Sequence, residues 1–462
     1  MHNIESYIWN FINKFGTQIV WLITTIILAR YLSPEDFGMI GVLSLVFMVA
    51  NTLSEAGLGG ALIIQKEIRE KDCSTIFTFN MVVSCMLYIV VFLLSNSIER
   101  FYEVEGLSNI TRIICIVFVI NALACVPRTI LCHRLQFKQL CVITIVSVII
   151  SSIITIAMAI SGFGVYALVA YQIILSILQV IGFFWLSKYR IKVAFYWNNF
   201  RSLFSFGFFT TVCGVVDTIY ENLLGAIYGK SFNMTQAGYL SQAKKIEEAS
   251  TQALLSSVNN TAFPVLAKFK DDKCRFKNES KTIMKLIPLV TFPILIVLLV
   301  FSKEAVLILF GEKWLDAAPY LSLLVIAGMF MIMDSLTRNA IKSLGQVKVL
   351  LYSTIIKRVL ACLLVILIAI ISPNIILIGY ILGAMFGVLI NLFAFHKLGY
   401  ITLWEVICEF IRPFVWTIPL WGIIYACYLF IPVIIGKVAI TIVTLALYYV
   451  ITLRACNVKL HK

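Results

Sequence analysis

The chain alternates long apolar runs with short polar breaks, at intervals that suit membrane-spanning helices. From Phe15 to Leu28 the residues are almost wholly apolar, the segment Ala29–Gly38 (ARYLSPEDFG) interrupts them, and a second apolar run extends from Met39 to Ile64. Runs of roughly 20 apolar residues cross bilayer hydrocarbon as helices, because a helix satisfies its own backbone hydrogen bonds where no water is available. The pattern continues to the end and predicts an all-α polytopic membrane protein of about fourteen spans. These lie near 11–30, 39–62, 75–96, 109–131, 141–161, 165–187, 204–228, 236–262, 283–302, 317–340, 350–371, 375–395, 413–431 and 434–453. Met1–Asn13 lacks the basic stretch and small-residue cleavage site of a signal peptide. With Ile4, Ile8, Trp9 and Ile12 on one side, it predicts a short interfacial helix.

The first hairpin has an echo. Arg30-Tyr31-Leu32-Ser33-Pro34-Glu35-Asp36-Phe37-Gly38 returns as Lys230-Ser231-Phe232-Asn233-Met234-Thr235-Gln236-Ala237-Gly238. A base opens each break, a small polar residue sits at Ser33 and Asn233, and Gly38 and Gly238 begin the second helix. Such a repeat suggests two related halves, a plan common among transporters. The chemistry is not repeated: Asp217 and Glu221 align with Thr17 and Trp21, and Lys244 and Lys245 align with Ser44 and Leu45.

Composition narrows the class. Charged residues make up 13% of the chain, about half the soluble-protein fraction, so the apolar runs are spans rather than core helices. A formal charge of +14 in a soluble chain would raise nucleic acid as a partner. Here the bases sort by loop: one set of alternate loops and ends carries 24 Lys and Arg, the other 6. By the positive-inside rule this puts both termini in the cytoplasm and requires an even number of spans. All 12 Cys fall in spans or on the cytoplasmic side in this topology, where disulfides do not persist. Cys132-His133 is the only Cys/His neighbour pair, too few ligands for a metal site. No loop is long enough for a catalytic domain, so neither an enzyme nor a cofactor is expected.

Charges at membrane depth are costly, by about 3 kcal/mol each on insertion scales, and mark functional candidates. Asp217 and Glu221 sit four apart on span seven, as do Asp334 and Arg338 on span ten, and so each pair shares a helix face. Lys244, Lys245, Glu247 and Glu248 fall in span eight, Lys357 and Arg358 in span eleven, and Lys14 and Glu55 in the first hairpin. Estimated depths pair Glu221 with Lys244 or Lys245, and Lys14 with Glu55. So many charges in adjacent spans imply a water-filled cavity. Pro127, Pro264, Pro288 and Pro293, with Gly207 and Gly214, interrupt spans, and a bend is expected at the Pro288/Pro293 pair.

Six stretches carry a resemblance: LARYLSPEDFGMIGVLSL (28–45), VPRTILCHRLQFKQL (126–140), GFGVYALVAYQI (162–173), AGYLSQAKKI (237–246), AFPVLAKFKDD (262–272) and FGEKWLDAAPYLSLL (310–324). In this order they resemble the polysaccharide transporter family, the Wzx-like flippases of lipid-linked oligosaccharides. The same superfamily holds the MurJ lipid II flippases and the MATE drug exporters. The resemblance implies two six-helix lobes, about 1–200 and 201–400, around a V-shaped cavity with alternating access, and a lipid-tail groove from spans thirteen and fourteen (401–462). It implies as substrate an undecaprenyl-pyrophosphate-linked oligosaccharide, moved to the external leaflet of the bacterial cytoplasmic membrane for O-antigen, capsule or exopolysaccharide assembly. By location, Lys14, Lys244, Lys245, Arg338, Lys357 and Arg358 match the family's cationic cavity lining. Glu55, Asp217, Glu221 and Asp334 are the cavity carboxylates, candidates for a coupling proton or Na⁺. Other polysaccharide-assembly proteins are candidate partners. A lipid II flippase and a MATE-type exporter are the alternatives; the latter predicts twelve spans and an acid-dominated cavity.

Overall fold

A computed structural model describes residues 2–55, 58–64, 68–400, 402–430 and 434–455. Among them every regular element is helical, and eleven segments are long and apolar enough to cross a membrane. The chain divides into two compact units, Met1–Ser241 and Gln242–Lys462.

The first unit contains α1 (His2–Tyr31), α2 (Pro34–Glu55), α3 (Leu58–Ile64), α4 (Glu70–Tyr102), α5 (Leu107–Ile114), α6 (Ile116–His133), α7 (Phe137–Ile160), α8 (Val165–Ser187), α9 (Trp197–Ser231) and the opening turns of α10 (Met234–Lys268). The interfacial helix expected before span one is continuous with it in the 30 residues of α1. Small and hydroxylic residues bring these helices together, as they do where lipid supplies no hydrophobic drive between helices. Thr24 on α1 donates to Ser152 on α7 at 2.7 Å, both buried. The outward faces are apolar: Leu93 is 71% exposed and Trp185 77%.

The break residues of the repeat are helix caps. The Ser33 backbone N–H donates to Asp36 Oδ2 at 2.8 Å, and the Asp36 N–H donates back to Ser33 Oγ at 3.2 Å. This reciprocal box satisfies two N–H groups that the first turn of α2 leaves without helical partners. At α10 the Gln236 N–H donates to Asn233 Oδ1 at 2.8 Å. The two capped helices then meet backbone to backbone. A Cβ on Gly38 would lie 1.8 Å from the Met234 carbonyl oxygen, and a Cβ on Gly238 would lie 1.8 Å from that of Pro34. The contact is reciprocal between equivalent repeat positions. It continues where a Cβ on Gly225 of α9 would fall 2.8 Å from the Gly41 carbonyl oxygen, so α2 also lies tightly against α9.

The second unit contains the rest of α10, α11 (Lys273–Val300), α12 (Ser302–Phe310), α13 (Ala318–Ser343), α14 (Val347–Ile371), α15 (Ile376–Lys397), α16 (Leu403–Phe430) and α17 (Ile434–Ala455), with 3-10 turns at Glu312–Ala317 and Pro373–Ile375. Helix α13 is its centre: Leu321, Val325, Ile332, Ala340 and Ile341 are fully enclosed, and α11 and α15 both pack on it. Pro288 and Pro293 are buried within α11, which continues through both. The Pro264 side chain lies outside the described residues. Helices α9 and α10, 35 residues each, fall outside the apolar set. The polar residues that the sequence places on them lower their hydropathy. Helix α17 holds a shorter apolar stretch, Ala439–Val450.

Helix α16 opens with a second capping box. The Thr402 N–H donates to Glu405 Oε2 at 2.7 Å, and the Glu405 N–H returns to Thr402 Oγ1 at 3.3 Å. Glu405 also accepts from Lys281 and pairs with Lys277 at 3.0 Å, both on α11. The Lys281 hydrogen bond, followed by those from Thr402 and Lys277, lowers the Glu405 carboxyl to about 2.

Two predictions follow from these contacts. Gly38→Ala forces α2 and α10 apart and destabilises the protein by at least the ~1–3 kcal/mol typical of overpacking. Gly422→Ala, where an added Cβ meets nothing within 4 Å, is neutral in the same thermal-unfolding measurement. Because the folded Glu405 pKa is depressed, its contribution is complete above the ordinary carboxyl value of about 4.3 and fades as pH falls through about 2. Glu405→Gln removes that part of the acid dependence of unfolding, and an unchanged acid limb refutes the assignment.

Candidate functional site

Three of the twelve charged positions singled out by sequence form one cluster in the second unit. Asp334 on α13 is the hub. Its Oδ1 and Oδ2 each accept from Lys357 Nζ of α14 at 2.7 Å. Arg338, one turn along α13, donates to Oδ2 at 2.6 Å, and Asn391 of α15 donates to Oδ1 at 2.7 Å. Three helices are thus held through one carboxylate. Lys357 is 3% exposed and Asn391 fully enclosed, so these charges are out of water and depend on one another. Gly387 of α15 makes room: a Cβ there would lie 3.7 Å from Lys357 Cδ and 3.9 Å from Asp334 Oδ1.

The cluster carries excess positive charge, with two cations on one carboxylate. Lys357 commits both its short bonds to Asp334. The Arg338 side chain is 36% exposed, and among the described residues its buried Nε has no hydrogen-bond partner. Arg338 is therefore the more exposed cation of the cluster and Lys357 the enclosed one. Arg358 follows on α14 and is half-buried.

A second polar group lies on α10. Lys244 pairs with Glu248 of its own helix at 3.5 Å, and Lys245 beside it is half-buried. Glu247 points into the unit and is 5% exposed. Its Oε1 accepts from Thr251 at 2.6 Å and occupies the space a side chain at Gly328 would take, 2.5 Å from a Cβ built there. A carboxylate is thereby seated against the backbone of α13.

In the first unit, Asp217 is half-buried and Glu221 exposed, one turn apart on α9. Thr218 between them lies 3.1 Å from Thr52 of α2, oxygen to oxygen, and Asn121 of α6 donates to Asn51 of α2 at 2.9 Å. A polar seam therefore links α2 to α6 and α9. Lys14 is exposed on α1. Glu55 ends α2, and its side chain, with the expected Lys14–Glu55 pair, lies outside the described residues.

Sequence reading found the hub through the i, i+4 spacing of Asp334 and Arg338. It missed Asn391, Gly387 and Gly328 as participants, and it named Glu247 among the charges of span eight without its seat against α13. Asn391 had a signal, being a lone amide in an otherwise apolar span. The two glycines had none, since their role depends on which helices face each other.

Asp334→Asn leaves Lys357 buried without its counter-charge and costs ~3–5 kcal/mol, the usual penalty for breaking a buried pair. The double change Asp334→Asn with Lys357→Met recovers most of that loss. Thermal unfolding of the purified variants measures both; strict additivity of the two single changes would refute the coupling.

Comparison with known proteins places this arrangement. A profile of the family described as polysaccharide biosynthesis protein matches residues 27–319. The chain is 24% identical over 351 residues to the succinoglycan biosynthesis transport protein ExoT of Rhizobium meliloti (strain 1021), covering 76% of this chain and 71% of that protein. It is 26% identical over 349 residues to the teichuronic acid biosynthesis protein TuaB of Bacillus subtilis (strain 168), covering 74% and 72%. Among solved structures, the lipid II flippase MurJ in an inward closed conformation superposes with a TM-score of 0.78 at 17% identity, covering 97% of this chain and 99% of that one. The chain belongs to the polysaccharide biosynthesis protein family, as a multi-pass helical membrane protein with the fold of that flippase.

Proposed function

We propose that this protein is a flippase, moving undecaprenyl-pyrophosphate-linked oligosaccharide repeat units across the cytoplasmic membrane for surface polysaccharide assembly. The observation that carries this reading is an excess of cations held among the helices of a chain of this family: Lys357 and Arg338 share one carboxylate, Asp334. A pyrophosphate–sugar headgroup does not enter hydrocarbon unaided, because burying unpaired charge is prohibitive. Lys and Arg at membrane depth offset that cost through charge-assisted hydrogen bonds to phosphate oxygens.

In this reading Lys14, Lys244, Lys245, Arg338 and Arg358 meet the headgroup, and Lys357 belongs to the set through the carboxylate it holds. Glu55, Asp217, Glu221 and Asp334 balance those charges and are where a coupling proton or Na⁺ would bind. Helices α9, α10 and α17 complete fourteen spans, with both termini cytoplasmic. Residues 1–200 and 201–400 form six-helix lobes that alternate access, and 401–462 holds the lipid tail.

Deleting the gene leads to undecaprenyl-linked repeat units accumulating in the cytoplasmic leaflet and to loss of the surface polysaccharide; unchanged glycans and intermediates refute the reading. Lys244→Ala with Lys245→Ala fails to restore export at normal protein level. Full restoration removes those two lysines from the site while leaving the function standing.

A further inference from the structure

A separate cavity of about 640 Å³ opens in the first unit where α4 begins and α6 and α8 end. None of the charged positions discussed above lines it. Arg134, Lys188 and Arg190 line it. Arg134 makes a single long contact, Nη1 to the Ser187 carbonyl oxygen at 3.4 Å. The side chains of Lys188 and Arg190 have no hydrogen-bond or ion-pair partner among the described residues. The one carboxylate in the lining, Glu70, is already paired with Lys192. The lining therefore carries three bases against one carboxylate.

Its floor is a strap that the fold holds firmly. Residues 188–196 leave α8 without regular structure, Lys188 turning in the left-handed region (φ 55°), and cross the start of α4 before α9 begins. Thr78 donates to the Ala194 carbonyl oxygen at 3.2 Å, and the Tyr196 N–H donates to Thr75 Oγ1 at 3.2 Å. Asn199 closes the far end by donating to Asp72 Oδ1 at 2.5 Å. At the cavity the strap presents Tyr189. Its hydroxyl is buried, and although the Lys192 backbone N–H lies nearby, no well-formed hydrogen bond closes.

We propose that this cavity binds a phosphate group, with Arg134, Lys188 and Arg190 as its ligands. Two planar guanidinium forks suit paired phosphate oxygens better than they suit a simple halide. The volume is that of a small-molecule site, with room for the organic part of a phosphate ester. Two sources share this chemistry, an anionic phospholipid headgroup at the bilayer edge and a soluble phosphate. The site is independent of the flippase reading and stands or falls without it.

The test uses the full-length protein in phosphatidylcholine nanodiscs. Phosphatidylglycerol is added to the bilayer in one arm and inorganic phosphate to the buffer in the other. Retained lipid is read by native mass spectrometry, and the unfolding midpoint is read in both arms. The combined change Arg134→Gln, Lys188→Gln and Arg190→Gln weakens binding at least tenfold and abolishes the ligand-induced rise in midpoint. A charge-matched control, Lys268→Gln, Lys270→Gln and Arg275→Gln, retains both. A response confined to phosphatidylglycerol supports the site with a lipid headgroup as ligand, and a response to inorganic phosphate supports it with a soluble one. Equal binding by the site variant and the wild type, equal loss in the control, or no binding by the wild type overturns the proposal.

Discussion

Two helix backbones touch at Gly38 and Gly238, and much of the first unit depends on that approach. With no Cβ on either residue, each α-carbon lies against the other helix's carbonyl four residues upstream. The capping groups matter for the same reason. Ser33 with Asp36, and Asn233 with Gln236, fix where each helix begins, and hence which glycine arrives at the crossing. Once α2 is held there, Gly225 and Gly41 set α9 beside it, and the Thr52–Thr218 contact lies farther along the same pair of helices.

The second unit rests on a different device. Its centre is not a close backbone contact but a carboxylate, Asp334, that ties α13, α14 and α15 together. A buried charge of this kind is expensive unless paired, so the cluster is specific about which helices meet and in what register. It also leaves one guanidinium, that of Arg338, partly exposed. Glu247 against Gly328 repeats the economy on a smaller scale, with a polar side chain taking the place where another side chain would otherwise stand.

Much of this was legible from residue order. Apolar runs and their breaks indicated a multi-pass helical protein, and the repeat at Ser33/Asn233 and Gly38/Gly238 marked where each second helix opens; those helices in fact start at Pro34 and Met234, which puts the glycines at a crossing that residue order did not show. Intrahelical spacing linked Asp334 to Arg338. What the order could not supply was the facing of one helix to another. Lys357 looked like a free cation for substrate, yet its ammonium is taken up by Asp334. Asn391, which residue order alone did not single out, completes the same hub. Helices α9 and α10 were the hardest to place as spans because their polar residues, the ones of greatest interest, dilute the hydrophobic signal.

The central claim is that the protein carries a lipid-linked saccharide from one leaflet to the other, and reconstitution addresses it without reference to any cell. Purified protein is placed in liposomes containing an undecaprenyl-pyrophosphate-linked oligosaccharide, and an impermeant glycosidase is added outside. The account predicts that saccharide initially protected in the inner leaflet becomes cleavable over time only in vesicles that contain the protein. If the protected fraction remains the same with and without the protein, under each ion gradient supplied, the account is contradicted.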